Sequence, residues 1–313
     1  MTVLIFGKTG QVGWELQRAL NLVGPVIVLG RADADLADEA KIRQVIRTLR
    51  PKIIVNAAAF TAVDEAERET ALAHRINADA PGILAEEAAR LDAWLIHYST
   101  DYVFDGRKPG PYTESDAPAP LSVYGTTKLA GESAIVRVGG KHLIFRCTWL
   151  YSNRRANFLL SILALALKRD SIQVIDDCVG APTSAALIAD VTGAVVRQLY
   201  EGKHAHASGI YHLAAGGSTT WHEYASFLAS EAKRLGMPTR LEASKIGRIS
   251  EQDYGSPARR PLNSCFDTSK LRQTFGVELY DWQFGVGRLL EEMAAPLRVM
   301  SLLDQPATRN SED

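Results

Sequence analysis

Thr2-Val-Leu-Ile-Phe6 is a short apolar run that leads straight into Gly7-Lys-Thr-Gly10-Gln-Val-Gly13, and from there into a helical stretch from Trp14 to Leu20. An unbroken apolar run is what a strand buried on both faces requires, and such strands belong to parallel sheets. Strand, glycine turn and helix in that order leave few folds open. Glycines let the backbone turn tightly, approach a pyrophosphate and pack the helix on the sheet, while the helix N-terminus offers unpaired N–H groups to the anion. Gly7, Gly10, Gln11, Val12 and Gly13 are therefore candidate dinucleotide-binding residues. The G-x-x-G-x-x-G spacing departs from the commoner G-x-G-x-x-G fingerprint. Gly7-Lys8-Thr9 matches the end of a P-loop, but Thr2 stands where that motif needs a glycine and the residues between are strand, which argues against an ATPase.

The alternation continues downstream. Pro25–Leu29, Ile53–Ala57, Trp94–Tyr98 and His142–Arg146 read as strands, with helices over 39–49, 70–91 and 124–138. A doubly wound parallel sheet with right-handed crossovers is the simplest packing. Beyond Trp149 the pattern loosens into helices over 158–167, 185–200 and 221–235, a strand over 172–175 and a Pro-, Gly- and Arg-rich loop over 248–264. The expected organisation is a nucleotide-binding domain over 1–150, to which later segments return, a smaller substrate lobe over 151–300, and a mobile tail over 303–313.

Bulk properties exclude several partners. A net charge of -1 over 313 residues gives no electrostatic case for nucleic acid or an anionic membrane. No apolar stretch approaches a membrane span, and the first residues form a strand instead of a signal peptide. Cys147, Cys178 and Cys265 are scattered, without ligand spacing, which points to a reducing compartment, the cytoplasm, and no zinc site. His204, His206, His212 and His222 likewise lack the spacing of a metal-binding helix.

Ser122-Val-Tyr-Gly-Thr-Thr-Lys-Leu-Ala-Gly131 carries the chemistry. On a helix, Tyr124 and Lys128 lie one turn apart, and a neighbouring ammonium is expected to pull the phenol down from about 10 toward the working pH of an acid catalyst. Strand ends line the ligand crevice of such a sheet, so Asn56, Ser99, Thr100 and Asp101 are expected there, with Thr100 placed to hydrogen-bond a substrate oxygen. Ala57-Ala-Ala59 leaves room for a flat nicotinamide or ribose. The second strand ends at Gly30-Arg31, without the acidic residue that binds the ribose of NAD, and Arg31 favours a 2′-phosphate; NADPH is the expected cofactor, with NADH also admitted.

Together with Asn56–Asp64, His97-Tyr-Ser-Thr-Asp-Tyr-Val-Phe104, Gly180-Ala-Pro-Thr183 and Tyr211-His-Leu before Thr220-Trp221, these segments resemble the extended short-chain dehydrogenase/reductases, and within them the branch that makes dTDP-L-rhamnose. The resemblance spans nearly the whole chain. It implies a Rossmann-type α/β fold, and reduction of the C4 ketone of dTDP-4-dehydro-L-rhamnose, a small-molecule sugar nucleotide, as the last step of a carbohydrate biosynthesis that feeds cell-surface polysaccharide. It further implies that Thr100, Tyr124 and Lys128 form the catalytic set, with Tyr124 and Lys128 also touching the cofactor. Val63, Asp101 and Trp149 would contact the sugar nucleotide, Tyr98, Ala59, Phe60 and Thr61 the cofactor, and Asp35-Leu36 the adenine. Arg259-Arg-Pro-Leu-Asn-Ser264 matches a loop whose Arg260 and Asn263 would meet the nucleotide diphosphate.

The same residues are shared by nucleotide-sugar epimerases and dehydratases, but no acid pair follows Thr100 to enolise a substrate as a dehydratase needs. A non-catalytic NADP-binding regulatory subunit is the other reading. Some members of the resembled family hold magnesium at a dimer contact; Glu15 is present here, but Ala186 stands where a Glu is expected, so no metal is assigned and Asp190 reads as a solvated charge. Trp14 and Glu15 form the candidate homodimer surface.

Overall fold

The computed structural model of the chain describes residues 2–303, with side chains through 295; of the segment expected as a mobile tail, residues 304–313 lie outside the described residues. The N-terminal half runs β1 (Val3–Phe6), α1 (Gln11–Leu20), β2 (Val26–Leu29), α2 (Glu39–Leu49), β3 (Ile53–Asn56), α3 (Val63–Ala66), α4 (Thr70–His74), α5 (Ala80–Arg90), β4 (Trp94–Thr100), α6 (Val123–Val138) and β5 (His142–Cys147). There follow β6 (Leu150–Tyr151), α7 (Phe158–Ala166), β7 (Ile172–Ile175), β8 (Val179–Gly180), β9 (Thr183–Ser184), α8 (Ala185–Tyr200), β10 (Gly209–Leu213), β11 (Thr219–Thr220), α9 (Trp221–Arg234), β12 (Ile246–Ile249), α10 (Glu251–Tyr254), α11 (Ser269–Phe275) and α12 (Trp282–Leu303).

Six parallel strands form the main sheet in the order β10-β5-β4-β3-β1-β2. β1 is apolar at every position because both faces are covered, and β3, β4 and β5 carry buried polar residues toward their carboxyl ends, Asn56, Ser99, Thr100 and Arg146. Val3 and Ile5 point into the layer of α1 and α8, whereas Leu4 and Phe6 point into the layer of α2 and α5; Ile53 and Val55 against Ile54, and Leu143 and Phe145 against Ile144, divide in the same way. The order in which successive strands are added reverses between β1 and β3, and the crevice opens at their carboxyl ends.

Several boundaries differ from the sequence reading. The helix expected over 70–91 is α4 and α5 joined by a π-helical turn at Arg75–Asp79, and β4 extends through Thr100. The loop expected over 248–264 contains the end of β12 and α10. α8 and β10 lie on the main sheet: α8 packs along α1, and β10 extends the sheet beside β5.

α6 is the helix that positions the chemistry, and three devices fix it. Ser122 caps it, its Oγ accepting from Gly125 N, and the Glu67 carboxylate accepts from Val123 N. A Cβ on Gly125 would lie 2.1 Å from the Tyr102 carbonyl oxygen, so only glycine lets α6 approach the end of β4 this closely. Between α6 and β5, Arg146 Nε and Nη2 donate to the two carboxylate oxygens of Glu132 at 2.9 and 2.6 Å, with both side chains 2% exposed. The guanidinium also lies over Phe104, 5.0 Å from the ring centre.

Breaking this pair by Glu132→Gln strands a buried guanidinium. The expected loss is about 3–5 kcal/mol of folding stability, measurable by urea denaturation; a loss typical of an exposed ion pair would show that water reaches Arg146.

Candidate active site

The glycine turn is closed by backbone contact alone. A Cβ on Gly13 would sit 2.0 Å from the Gly7 carbonyl oxygen, and one on Gly7 would strike Ala57, so the turn folds flat against the end of β3. Gly10 precedes α1 without any side-chain cap, which leaves the first N–H groups of the helix free for an anion.

In front of this turn opens a cavity of about 340 Å³, within the range of small-molecule sites. Its lining brings together Gln11, Val12, Ala59, Thr61, Val63, Tyr98, Thr100, Asp101, Tyr124, Lys128 and Trp149 from the sequence reading. Asn56 and Ser99, also expected at strand ends, line it as well.

Tyr124 lies edge-on to Tyr102, ring centres 5.4 Å apart. Thr100 Oγ1 accepts from Tyr102 N at 3.2 Å and donates to Asp101 Oδ1 at 3.1 Å. Lys128 Nζ donates to the Tyr98 carbonyl at 2.6 Å, while the Tyr98 hydroxyl bonds Thr192 Oγ1 on α8 at 2.7 Å. Asp101 is buried and receives a hydrogen bond from the Ser264 hydroxyl.

The electrostatics correct one expectation. Burial pushes the Tyr124 phenol above its ordinary value, with the Thr100 hydroxyl working the other way, and Lys128 does not offset the burial. The lysine is committed to the Tyr98 carbonyl and is itself pushed down to about 8 by desolvation, against the pull of Glu132. Desolvation also lifts Asp101 to about 6, against the hydrogen bonds from Ser264 and Thr100.

Other expected residues fall outside the cavity. Asn263 spends both amide protons on the Lys108 and Gly110 carbonyls, and its Oδ1 accepts from Cys265 N, so it ties down the 108–111 loop and has no donor left for a ligand. Leu36 is core beneath β2, and Asp35 bonds Ala37 N. Arg31 is exposed, 3.3 Å from Asp35. An acidic group does stand at the end of β2: Asp33 Oδ2 accepts from Gly30 N at 2.8 Å. Phe60 is held by its backbone, its N–H donating to Asn77 Oδ1 and its carbonyl accepting from Asn77 Nδ2. Arg260 lies 3.7 Å from Asp64, next to Val63, with its buried Nε unpartnered among the described residues.

Sequence reasoning missed several contributors. Asn77, fully buried on the π-helical turn, also bonds Thr127 of α6; an amide within an apolar helical face was the available signal. Trp221 stacks on Trp149 with centroids 3.8 Å apart, and Phe158 lies 4.2 Å from Trp221, tilted by 53°, making an apolar aromatic wall. Trp149 holds a left-handed backbone, φ 44°, to reach it. Ser152 and Asn157 both donate to Gln11 Oε1, while Arg155 donates to the Thr9 carbonyl and hydroxyl, so the 152–157 loop clasps the glycine turn. No local pattern announces these contacts.

A parallel sheet with a glycine turn at its switch point, and Thr, Tyr and Lys gathered opposite, defines the class of nicotinamide-dependent short-chain reductases of the extended type. Within it, the chain belongs to the family described as RmlD substrate binding domain, whose sequence profile matches residues 1–295. It is 46% identical over 297 residues to the dTDP-4-dehydrorhamnose reductase of Shigella flexneri, covering 94% of this chain and 98% of that protein. Among solved structures it is similar to the dTDP-4-dehydrorhamnose reductase of Bacillus anthracis in complex with NADP (TM-score 0.83, 32% identity, 93% of this chain and 99% of that one). The orthologue from Clostridium acetobutylicum superimposes with TM-score 0.85 at 31% identity, covering 94% and 99%.

Because Asp101 binds its proton more tightly in the folded state than the ordinary value of about 4, the folded form loses stability as pH rises through about 4 to 6. Asp101→Asn removes that loss. The variant is expected to melt higher than wild type at pH 7 to 8, with the gap closing near pH 4; a wild type that gains on the variant through this window would show the carboxylate is held ionised.

Proposed function

We propose that the chain reduces the C4 ketone of dTDP-4-dehydro-L-rhamnose to dTDP-L-rhamnose with NADPH, the last step of dTDP-L-rhamnose synthesis. The observation that carries this reading is the convergence of Thr100, Tyr124 and Lys128 on one cavity facing the glycine turn, in a member of this family. The cavity fits the cofactor: the first turn of α1 has uncapped N–H groups for a pyrophosphate, and Ala57–Ala59 presents little side-chain bulk to a ribose or nicotinamide. When bound, NADPH supplies the hydride.

The protein's part is orientation and the proton. Tyr124, held protonated at neutral pH by burial, donates its phenolic proton to the oxygen that becomes an alkoxide. Thr100 turns its hydroxyl from Asp101 to that same oxygen, and Lys128 turns from the Tyr98 carbonyl to the ribose of the cofactor. The Trp149–Trp221 wall, Val63 and Asp101 receive the sugar nucleotide, and Arg260, with its free Nε, pairs with the diphosphate.

The exposed guanidinium of Arg31, just past the end of β2, supports a contact with the 2′-phosphate of NADPH. Asp33, with one carboxylate oxygen still uncommitted among the described residues, gives the ribose hydroxyls of NADH an acceptor, so NADH serves as a weaker substitute. In the same reading 1–150, completed by α8 and β10, is the nucleotide domain and the rest of 151–300 mainly the substrate lobe, and the enzyme works in the cytoplasm; no described helix is long and apolar enough to cross a membrane. The α1 face carrying Glu15 and Trp14, whose ring is partly covered by Arg154, is the proposed homodimer surface.

NADPH oxidation followed by absorbance with dTDP-4-dehydro-L-rhamnose, made in the same tube from its precursor, tests the reaction. Tyr124→Phe is expected to keep NADPH binding and lose about 10²–10⁴ in turnover. Near-normal turnover would sink the assignment of the proton donor, and absence of turnover in wild type with cofactor bound would favour a regulatory subunit. Arg31→Ala should lower kcat/KM with NADPH relative to NADH by roughly tenfold, the worth of one charge-assisted contact; an unchanged ratio would remove Arg31 from the cofactor site.

A further inference from the structure

The hydrogen bonds behind Lys128 run in one direction. Ala58 N–H donates to Asn56 Oδ1 at 3.2 Å, which settles which end of that amide is oxygen and turns Nδ2 toward His97 Nδ1, 3.1 Å away. An amide nitrogen has only protons to give, so His97 Nδ1 accepts and the single proton of the neutral ring sits on Nε2. Nε2 in turn faces Lys128 Nζ at 3.2 Å. An ammonium has no lone pair to offer that N–H, whereas a neutral amine has one. Asn56, His97 and Lys128 are each no more than 2% exposed, so water does not relieve the conflict. Desolvation keeps His97 from charging, its pKa lying well below the ordinary value.

The other groups around Lys128 do not restore the charge. Glu132, one turn along α6, favours the ammonium but is held bidentate by Arg146. Cys147 on β5, Tyr124 on the preceding turn of α6, and Tyr98 and Tyr102 are all pushed toward their neutral forms by burial, while Asp101 after β4, ionised above about pH 6, has its two carboxylate oxygens taken by the Thr100 and Ser264 hydroxyls.

We propose that His97 is a positioning residue that sets the charge of Lys128: its Nε2–H stabilises the neutral amine in the empty cavity, and Lys128 takes up its proton as it turns away from the ring toward the cofactor ribose. The consequence for catalysis rests on the proposed role of Lys128; the tautomer of His97 does not. Cofactor binding then draws a proton from solvent wherever free Lys128 is unprotonated, and NADPH affinity weakens as pH rises above about 8.

Long-range proton–nitrogen correlation spectra of histidine-labelled, cofactor-free protein read the tautomer directly, with the His97 signals assigned by their loss in His97→Gln. The expected result is a bare Nδ1 and a protonated Nε2 from pH 6 to 9. A protonated Nδ1, or a doubly protonated ring at neutral pH, overturns the proposal whether or not the enzyme reduces any sugar. NADPH affinity by fluorescence titration supplies the second measurement. His97→Phe, which keeps a ring but no N–H, is expected to move the pH at which affinity falls upward by about one unit, while His97→Gln, which keeps a donor, stays near wild type. An unmoved limb in His97→Phe, or the same shift in both variants, also overturns it.

Discussion

A buried lysine without a carboxylate of its own governs the architecture of the cavity. Lys128 must be desolvated to stand beside Tyr124, and the carboxylate one turn along the same helix is kept from it by Arg146. The arginine–glutamate pair therefore does two things: it neutralises a charge at the α6–β5 contact, and it leaves Lys128 with a carbonyl and an imidazole as its hydrogen-bond partners among the described residues. Had Glu132 been free, the lysine would be a fixed cation; as arranged, its charge depends on what else enters the cavity.

Much of the first half of this arrangement was legible in the sequence, because it is encoded locally. A strand that is apolar at every position, a glycine turn and a helix imply a sheet covered on both faces, and the switch-point rule then places Thr100 and Asp101 at the cavity without any knowledge of tertiary contacts. The same reasoning located Tyr124 and Lys128 but misjudged how they influence one another. Spacing on a helix shows that two side chains can meet; it does not show that a carbonyl on a neighbouring strand will take one of them first.

What remained illegible depends on contacts between distant segments. Ser264 reaches Asp101, Trp221 stacks on Trp149, and Asn77 pins the backbone of Phe60 while reaching across to α6. Asn77 apart, each residue looks ordinary in its own stretch. Asn263 shows the converse error: a polar side chain in a suggestive loop turned out to be consumed in holding that loop together. That later segments return to the first domain is expected from the sequence; that α8 and β10 are the ones belongs to the same category, since nothing local in an amphipathic helix names the layer it will cover.

The clasp between the 152–157 loop and the glycine turn joins segments far apart in the chain, through Arg155 on Thr9 and through Ser152 and Asn157 on Gln11. Arg154 lies on Trp14, 3.4 Å from its ring centre, and extends the contact along α1. For anyone building chimaeras with a relative of altered sugar preference, the useful seam is therefore not the end of β5. A graft that exchanges the later lobe while leaving the first helix behind would part donors from their acceptors on both sides of the join, so residues 8–17 and 152–157 should travel as a single cassette.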